Sequence, residues 1–223
     1  MRRATALISA TFLALAIAGP VSAHGGHGAG RGILPPNARA HSHSLTQLAT
    51  AWNDWAFSTP EADNPLVAGR CEQSPIDKMI WFLPVSLGGD YELDCEVPAG
   101  AFLVGTPAGY FCDIAEAGGS TTAELLTCID NGFALLSYAE VVLDGRQAKH
   151  LDSYVVTTSR IELPGPNLLI DDPTSIMDKG IFVVIEPLSP GTHTIRLYDE
   201  FDAFGFAAGI TFNVTVATAK HTH

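Results

Sequence analysis

Over residues 210–216 the chain alternates without a break: Ile210, Phe212, Val214 and Val216 are apolar, and Thr211, Asn213 and Thr215 between them are polar. Successive side chains of a strand point to opposite faces, so one face of this segment must meet a core while the other meets water. Further β-rich runs follow one another at 79–83, 91–97, 101–105, 133–143, 154–163, 181–186 and 193–198, with turn residues between them. Short strands at such spacing predict an all-β fold, a β-sandwich or jelly roll of roughly eight strands. Asp144-Gly145 lies between two apolar runs and supplies the positive φ angles of a tight hairpin turn. Ser189-Pro190-Gly191 predicts a second turn, with proline presetting φ and glycine free to take the left-handed conformation.

Two helices are expected beside the strands. Ser44-Leu45-Thr46-Gln47 has the form of a capping box, followed by Leu45, Leu48, Ala49, Trp52 and Ala56 at helical spacing. The predicted helix runs to about Phe57 and stops at Ser58-Thr59-Pro60, because the residue before proline avoids the helical region. Thr121-Thr122-Ala123-Glu124 is a second capping box leading into Leu125 and Leu126, which puts Cys128 on or just after a further short helix.

Residues 1–23 read as a cleavable export signal: Arg2-Arg3, an apolar stretch over 4–18, then Val21-Ser22-Ala23 as a small-x-small cleavage site before His24. The apolar stretch, about 15 residues, is short of the roughly 20 that span a bilayer, so no membrane insertion is expected after cleavage. The residues after the paired arginines, Ala4-Thr5-Ala6, do not support a twin-arginine signal. The expected location is secreted or periplasmic. Residues 24–43, rich in Gly, Ala, Pro, Arg and His, read as a flexible arm; 44–217 as one domain; and 218–223 as a His-containing tail. Beyond the leader ten basic residues stand against twenty-four acidic ones, a formal charge of −14. That balance excludes the usual nucleic-acid and anionic-membrane partners, which need clustered Lys and Arg to displace counterions.

Cys71, Cys95, Cys112 and Cys128 contain no C-x-x-C pair, and an even number in an exported chain predicts disulfides rather than a zinc or redox motif. Three pairings are open to four cysteines. Pairing in sequence order, Cys71 with Cys95 and Cys112 with Cys128, is favoured because it closes two compact segments.

The motifs Trp52-Asn53-Asp54-Trp55, Asn64-Pro65-Leu66, Trp81-Phe82-Leu83, Cys95-Glu96-Val97-Pro98-Ala99-Gly100 and Leu188-Ser189-Pro190-Gly191-Thr192-His193-Thr194-Ile195-Arg196 together resemble a group of secreted bacterial β-sandwich proteins that has no assigned activity. The resemblance spans about 52–216. It implies export and the fold, and carries no catalytic residue across.

The G-x-S-x-G elbow, the H-E-x-x-H helix, the phosphate-binding loop and the dinucleotide glycine pattern are all missing from the sequence. A metal site would draw on scattered residues. Cleavage after Ala23 would leave His24 with a free α-amine and an imidazole, which together chelate copper; this is similar to the histidine brace of lytic polysaccharide monooxygenases, with His150 or His193 as the second ligand. The residues after it, Gly25-Gly26-His27-Gly28, depart from that family. A looser reading has His24, His27, His41 and His43, with His221 and His223, scavenging copper or another transition metal. Asp171, Asp172 and Asp178, or Asp199, Glu200 and Asp202, offer oxygen ligands for calcium, without EF-hand spacing. Trp52, Trp55 and Trp81 suit a core better than a platform for a ring-bearing ligand, since Trp52 falls on the apolar stripe of its helix. Asn213-Val214-Thr215 matches a glycosylation acceptor but reads as the solvent face of a strand.

The function expected from these residues is an exported, non-enzymatic β-sandwich that binds an unknown ligand or surface partner, or has a structural role. The rivals are a copper-dependent oxidative enzyme acting on polysaccharide through His24, and a hydrolase built on carboxylates such as Asp94, Glu96 or Asp199. No cofactor beyond the metal of the His-rich termini is implied.

Overall fold

The structure, a computed structural model, describes residues 32–218. The leader, His24, His27, His221 and His223 lie outside the described residues. Both capping boxes form. In α1 (Leu45–Phe57) the Ser44 hydroxyl accepts from the Gln47 amide while the Gln47 side chain accepts from the Ser44 amide, and Thr121 and Glu124 do the same for α2 (Thr122–Phe133).

Eleven strands make two sheets: β1 (Glu72–Gln73), β2 (Ile80–Phe82), β3 (Gly89–Val97), β4 (Phe102–Asp113), β5 (Tyr138–Leu143), β6 (Arg146–Gln147), β7 (Val155–Thr157), β8 (Ile161–Leu163), β9 (Thr174–Ile185), β10 (Gly191–Phe201) and β11 (Phe206–Val216). One sheet runs β1-β2-β4-β9-β7, with β8 also on β9; the other runs β3-β11-β10-β5-β6. The sandwich-like, mostly β fold read from the sequence is therefore the one observed, with two helices. The strand number exceeds eight partly because β1 and β6 are two-residue strands at sheet edges. Another addition comes from the run at 154–163, which splits into β7 and β8 along the same edge of β9. The Asp144-Gly145 hairpin forms, with Leu143 opposite Arg146 and φ values of 49° and 73°.

One of the two longest strands of the first sheet was half hidden. Every residue of β9 except Lys179 is buried, so it shows no alternation and only its apolar end, 181–186, is visible in the sequence. The other shortfall runs the opposite way. Residues 133–137, expected at the start of a strand, instead end α2 and turn into β5; Phe133 is the last helical residue.

The arm expected over 24–43 is corrected for its described part. Ile33 is buried in the core and bridges Ile185, the Leu34 amide donates to the Val184 carbonyl at 2.8 Å, and the Glu186 amide donates to the Gly32 carbonyl at 2.8 Å. Ile33 and Leu34 are the only large apolar residues in that segment, and they take the side of β9 that β4 leaves free.

Cys71 is bonded to Cys95 and Cys112 to Cys128, the pairing in sequence order, with Cα separations of 5.7 and 6.2 Å in the ordinary range. The first bond ties the segment before β1 to β3; the second ties β4 to α2. Two disulfides suit an oxidising compartment outside the cytoplasm. No helix among the described residues is long and apolar enough to cross a membrane.

Candidate functional site

The site is set by a fault in β4. Its middle reads Gly105-Thr106-Pro107-Ala108-Gly109, and proline has no N–H to give the ladder. Gly105 pairs with Val183 and Ala108 with Ile181, so three steps on β4 face two on β9: a β-bulge with one extra residue. β2 pairs only with 102–104 of β4, leaving the strand beyond the bulge open on that edge. A cavity of about 250 Å³ opens there. Trp52, Asn53 and Phe57 of α1 wall it on one side, Thr106, Pro107 and Phe111 of β4 on another, and Val85, Leu87 and Phe206 close it.

Two carboxyl groups face this otherwise apolar space, Asp178 from β9 and Asp199 from β10. Asp178 is 4% exposed and well held. Its Oδ2 accepts from Asn53 Nδ2 at 3.0 Å, the backbone amides of Lys179 and Tyr110 donate to its carboxyl, and its own amide donates to Thr158 Oγ1 at 2.9 Å. Gly109 gives it room, for a Cβ there would sit 3.1 Å from Asp178 Oδ1. Asn53 is fixed in turn by donating to the Ala49 carbonyl one helical turn back, at 3.0 Å. Burial pushes the Asp178 carboxyl up to about 7 against these donors.

Asp199 is the opposite case. It is 5% exposed, and no hydrogen bond reaches its carboxyl among the described residues. Burial pushes it, too, up to about 7. In neither carboxyl does the shift come from the other. No Lys, Arg or His lines the cavity, so nothing in its wall neutralises an ionised Asp199.

The hydroxyls in the wall are spoken for: Ser86 Oγ donates to the Gly89 carbonyl at 3.0 Å and Thr106 Oγ1 to the Ala108 carbonyl at 3.1 Å. A second concavity of about 600 Å³ runs along α2 past Tyr110, Glu116, Leu135 and Phe204. It holds no buried carboxyl.

The other candidates scatter. Asp171 and Asp172 are exposed on a loop while Asp178 points inward, so that calcium trio does not form; Glu200 and Asp202 likewise face away from the buried Asp199. For Glu200 the reason is the strand period, which sends neighbours to opposite faces; Asp171 and Asp172 precede β9, and Asp202 lies in the short helical turn after β10. Asp94 and Glu96 are exposed on β3, one strand period apart on its solvent side, and Asp94 accepts from Asn213 Nδ2 at 3.1 Å. Asn213 thus does sit on the solvent face. His41 Nδ1 and His43 Nε2 both bond Asp77 Oδ2, at 2.7 and 3.1 Å, so the two meet at one carboxylate. The Met79 amide, then His41, holds the Asp77 carboxyl below its usual range. His193 bonds Asp144 through Nδ1 at 2.7 Å and the Ser189 carbonyl through Nε2 at 2.9 Å, which occupies both ring nitrogens; His150 is exposed in a left-handed turn. Cys112, Glu116 and Cys128 lie within ligand distance of one another, but the disulfide takes both sulfurs.

The tryptophans pack as a cluster. Trp52 is buried and donates from Nε1 to the Leu83 carbonyl at 2.8 Å; its ring lies 5.9 Å from that of Trp55, which lies 5.4 Å from Phe82. Trp55 donates to Glu72 at 3.2 Å, and Trp81 is half-buried against the same core.

Sequence reasoning named Asp178 and Asp199, but in two separate calcium trios and with Asp199 also as a hydrolase carboxylate, and it missed Asn53, Thr106 and Gly109 as parts of a site. For Asp199 a signal exists: it occupies the inward parity of β10, after Ile195 and Leu197 and before Phe201. A carboxylate on the apolar side of an alternating strand is out of place unless it has a task.

The chain matches no family model and no curated protein. Among solved structures it is similar to "Structure of PbICP-C in complex with falcipain-2", at 10% identity and a TM-score of 0.26, over 62% of this chain and 98% of that one. A likeness that loose carries no argument about the site.

Proposed function

We propose that this protein is an exported binding module, and that its ligand enters the cavity beside the β4 bulge. The observation that carries the reading is the Asp199 carboxyl: on a residue that is 5% exposed, without a protein hydrogen bond among the described residues, and reached through a partly open, largely apolar cavity. A carboxyl set in an apolar wall without a protein partner leaves a bond to be made, and a ligand that makes it recovers part of the cost of its burial. Apolar walls with few convergent polar groups are the usual make-up of a small-molecule site, and a volume near 250 Å³ takes something smaller than a drug-sized ligand.

The hydrolase reading gains from the raised Asp178 and Asp199 but lacks the rest of a mechanism. A pair of carboxyls that works on a water needs both groups free to exchange protons. Here Asp178 is held by Asn53 and two backbone amides, and the hydroxyls of Ser86 and Thr106 donate to backbone carbonyls. Binding without turnover asks nothing further of the geometry.

The test is a titration of the ¹⁵N-labelled protein with toluene, a probe small enough for the cavity. Amide shifts centred on Trp52, Asn53, Thr106, Gly109 and Phe206 are expected. Shifts scattered over the surface would overturn the proposal, as would the absence of shifts with toluene and with its polar analogues benzyl alcohol and benzylamine.

A further inference from the structure

We infer that the ligand class selected by this cavity is a primary ammonium carried on a small apolar body, with its nitrogen on the Asp199 carboxylate. The inference rests on the cavity being a binding site. It follows from which bonds remain to be made. An ionised carboxylate only accepts hydrogen bonds, so the partner of Asp199 must be a donor, and an ammonium brings three donors and no acceptor. Asp178 already receives Asn53 and two backbone amides, which leaves Asp199 as the unsatisfied acceptor.

Charge narrows the choice further. The lining holds two titratable groups, both carboxyls, and no cation. An anionic ligand would add a like charge. A neutral alcohol would satisfy a lone pair but leave the charge of Asp199 uncompensated, so it would have to bind the protonated form. A bare divalent ion wants about six to eight oxygens or a compact set of ligands. The wall offers aromatic and aliphatic side chains instead, and no three ligand groups there lie within coordinating distance of one another. An organic cation uses both features, because its carbon skeleton fills the apolar space and aromatic faces attract an ammonium as well.

Three probes of the same shape separate the terms: toluene, benzyl alcohol and benzylamine, titrated by calorimetry near pH 7. Benzylamine is expected to bind roughly 10- to 100-fold more tightly than benzyl alcohol, the ratio that a charge-assisted bond gives over a neutral one. With Asp199 half protonated near pH 7, the amine should expel about half a proton while benzyl alcohol, which needs the protonated form, takes up about half, so the two heats should shift in opposite directions between phosphate and Tris. Asp199→Asn is expected to abolish the preference for the amine. Equal affinity of the amine and the alcohol overturns the inference and leaves the cavity reading intact, as does a preference that survives in Asp199→Asn. Should that variant not fold, equal heats for benzylamine in the two buffers overturn it in the unmodified protein. Failure of all three probes to bind overturns both readings.

Discussion

Asp199→Asn should change how stability depends on pH, and the size of the change follows from burial. In the unfolded chain this carboxyl titrates near 3.8; in the folded protein it is pushed up to about 7. Between those values the unfolded state gives up a proton that the native state keeps, so native stability falls as pH rises, and it levels off above about 7. Three pH units at 1.36 kcal/mol each set the full cost at about 4 kcal/mol at most, solvent in the cavity lowering it, and of that ceiling about 3 kcal/mol develops between pH 4.5 and 8. Asparagine keeps the shape and cannot ionise. Any constant cost of burying its amide shifts the whole curve and leaves the slope untouched. Asp178 and His193 titrate in the same window, both in the direction that loses stability as pH rises, but they are common to the two proteins and cancel in the difference. Asp77, Asp90, Asp144 and Glu162, whose pKa values are lowered, lose their contributions only as pH falls through values below their ordinary ones. Urea unfolding of both proteins at pH 4.5, 6 and 8 measures the difference. It should move by up to about 3 kcal/mol in favour of the variant. Two parallel curves, with the difference constant to within about 1 kcal/mol, would refute the assignment of Asp199 as a buried, unpaired carboxyl.

Replacing Cys112 and Cys128 together by alanine should cost about 3 kcal/mol in urea unfolding, from the loop of about 15 residues that the bond closes; non-reducing peptide mapping that found free thiols or a Cys95–Cys112 bond would contradict the pairing itself. Asn53→Ala strips the Asp178 carboxylate of a side-chain donor, so the Asp178 titration followed by carboxyl NMR should move further up, and a downward or absent shift would count against the bond. For the His-rich termini, copper titrated into protein that begins at His24 and into the same protein with one residue added before it should give nearly equal affinities. A loss of several orders of magnitude on extension would instead favour a copper brace and an oxidative enzyme.

How much was legible in the sequence depends on whether each element faces water. β11 alternates because one of its faces is solvated, and both helices announce themselves through caps whose partners sit three residues away. Such signals are local. β9 is buried on both faces, so neither parity is marked, and its polar residues Thr174, Ser175 and Asp178 look like a turn. The second half of β4 is hidden for another reason. Gly105, Pro107 and Gly109 read as a strand's end, whereas the strand continues past them through a bulge, and only its pairing with β9 carries it on. The arm residues Ile33, buried, and Leu34, half-buried, failed for want of length, since two apolar residues in a Gly-rich segment carry no period.

The first two of these obstacles converge on one place, and this is why the candidate site was the least legible part of the chain. Its floor is the bulge that resembles a strand end, one carboxyl comes from the strand without alternation, and Asn53 sits on a helix stripe whose other members are apolar. Each residue departs from the rule of its own element: a proline inside a ladder, a polar side chain on a buried helix face, a carboxylate at an inward strand position. Any one of these departures costs stability and would be removed by a simple substitution, proline to valine, asparagine to alanine, aspartate to leucine. Three of them around one 250 Å³ space are hard to reconcile with packing alone. Sequences consistent at every level specify a fold, and breaks in that consistency concentrate where something other than folding is being served. On that argument the bulge, Asn53, Asp178 and Asp199 form one unit, and variants of any of them should alter binding of the same probe.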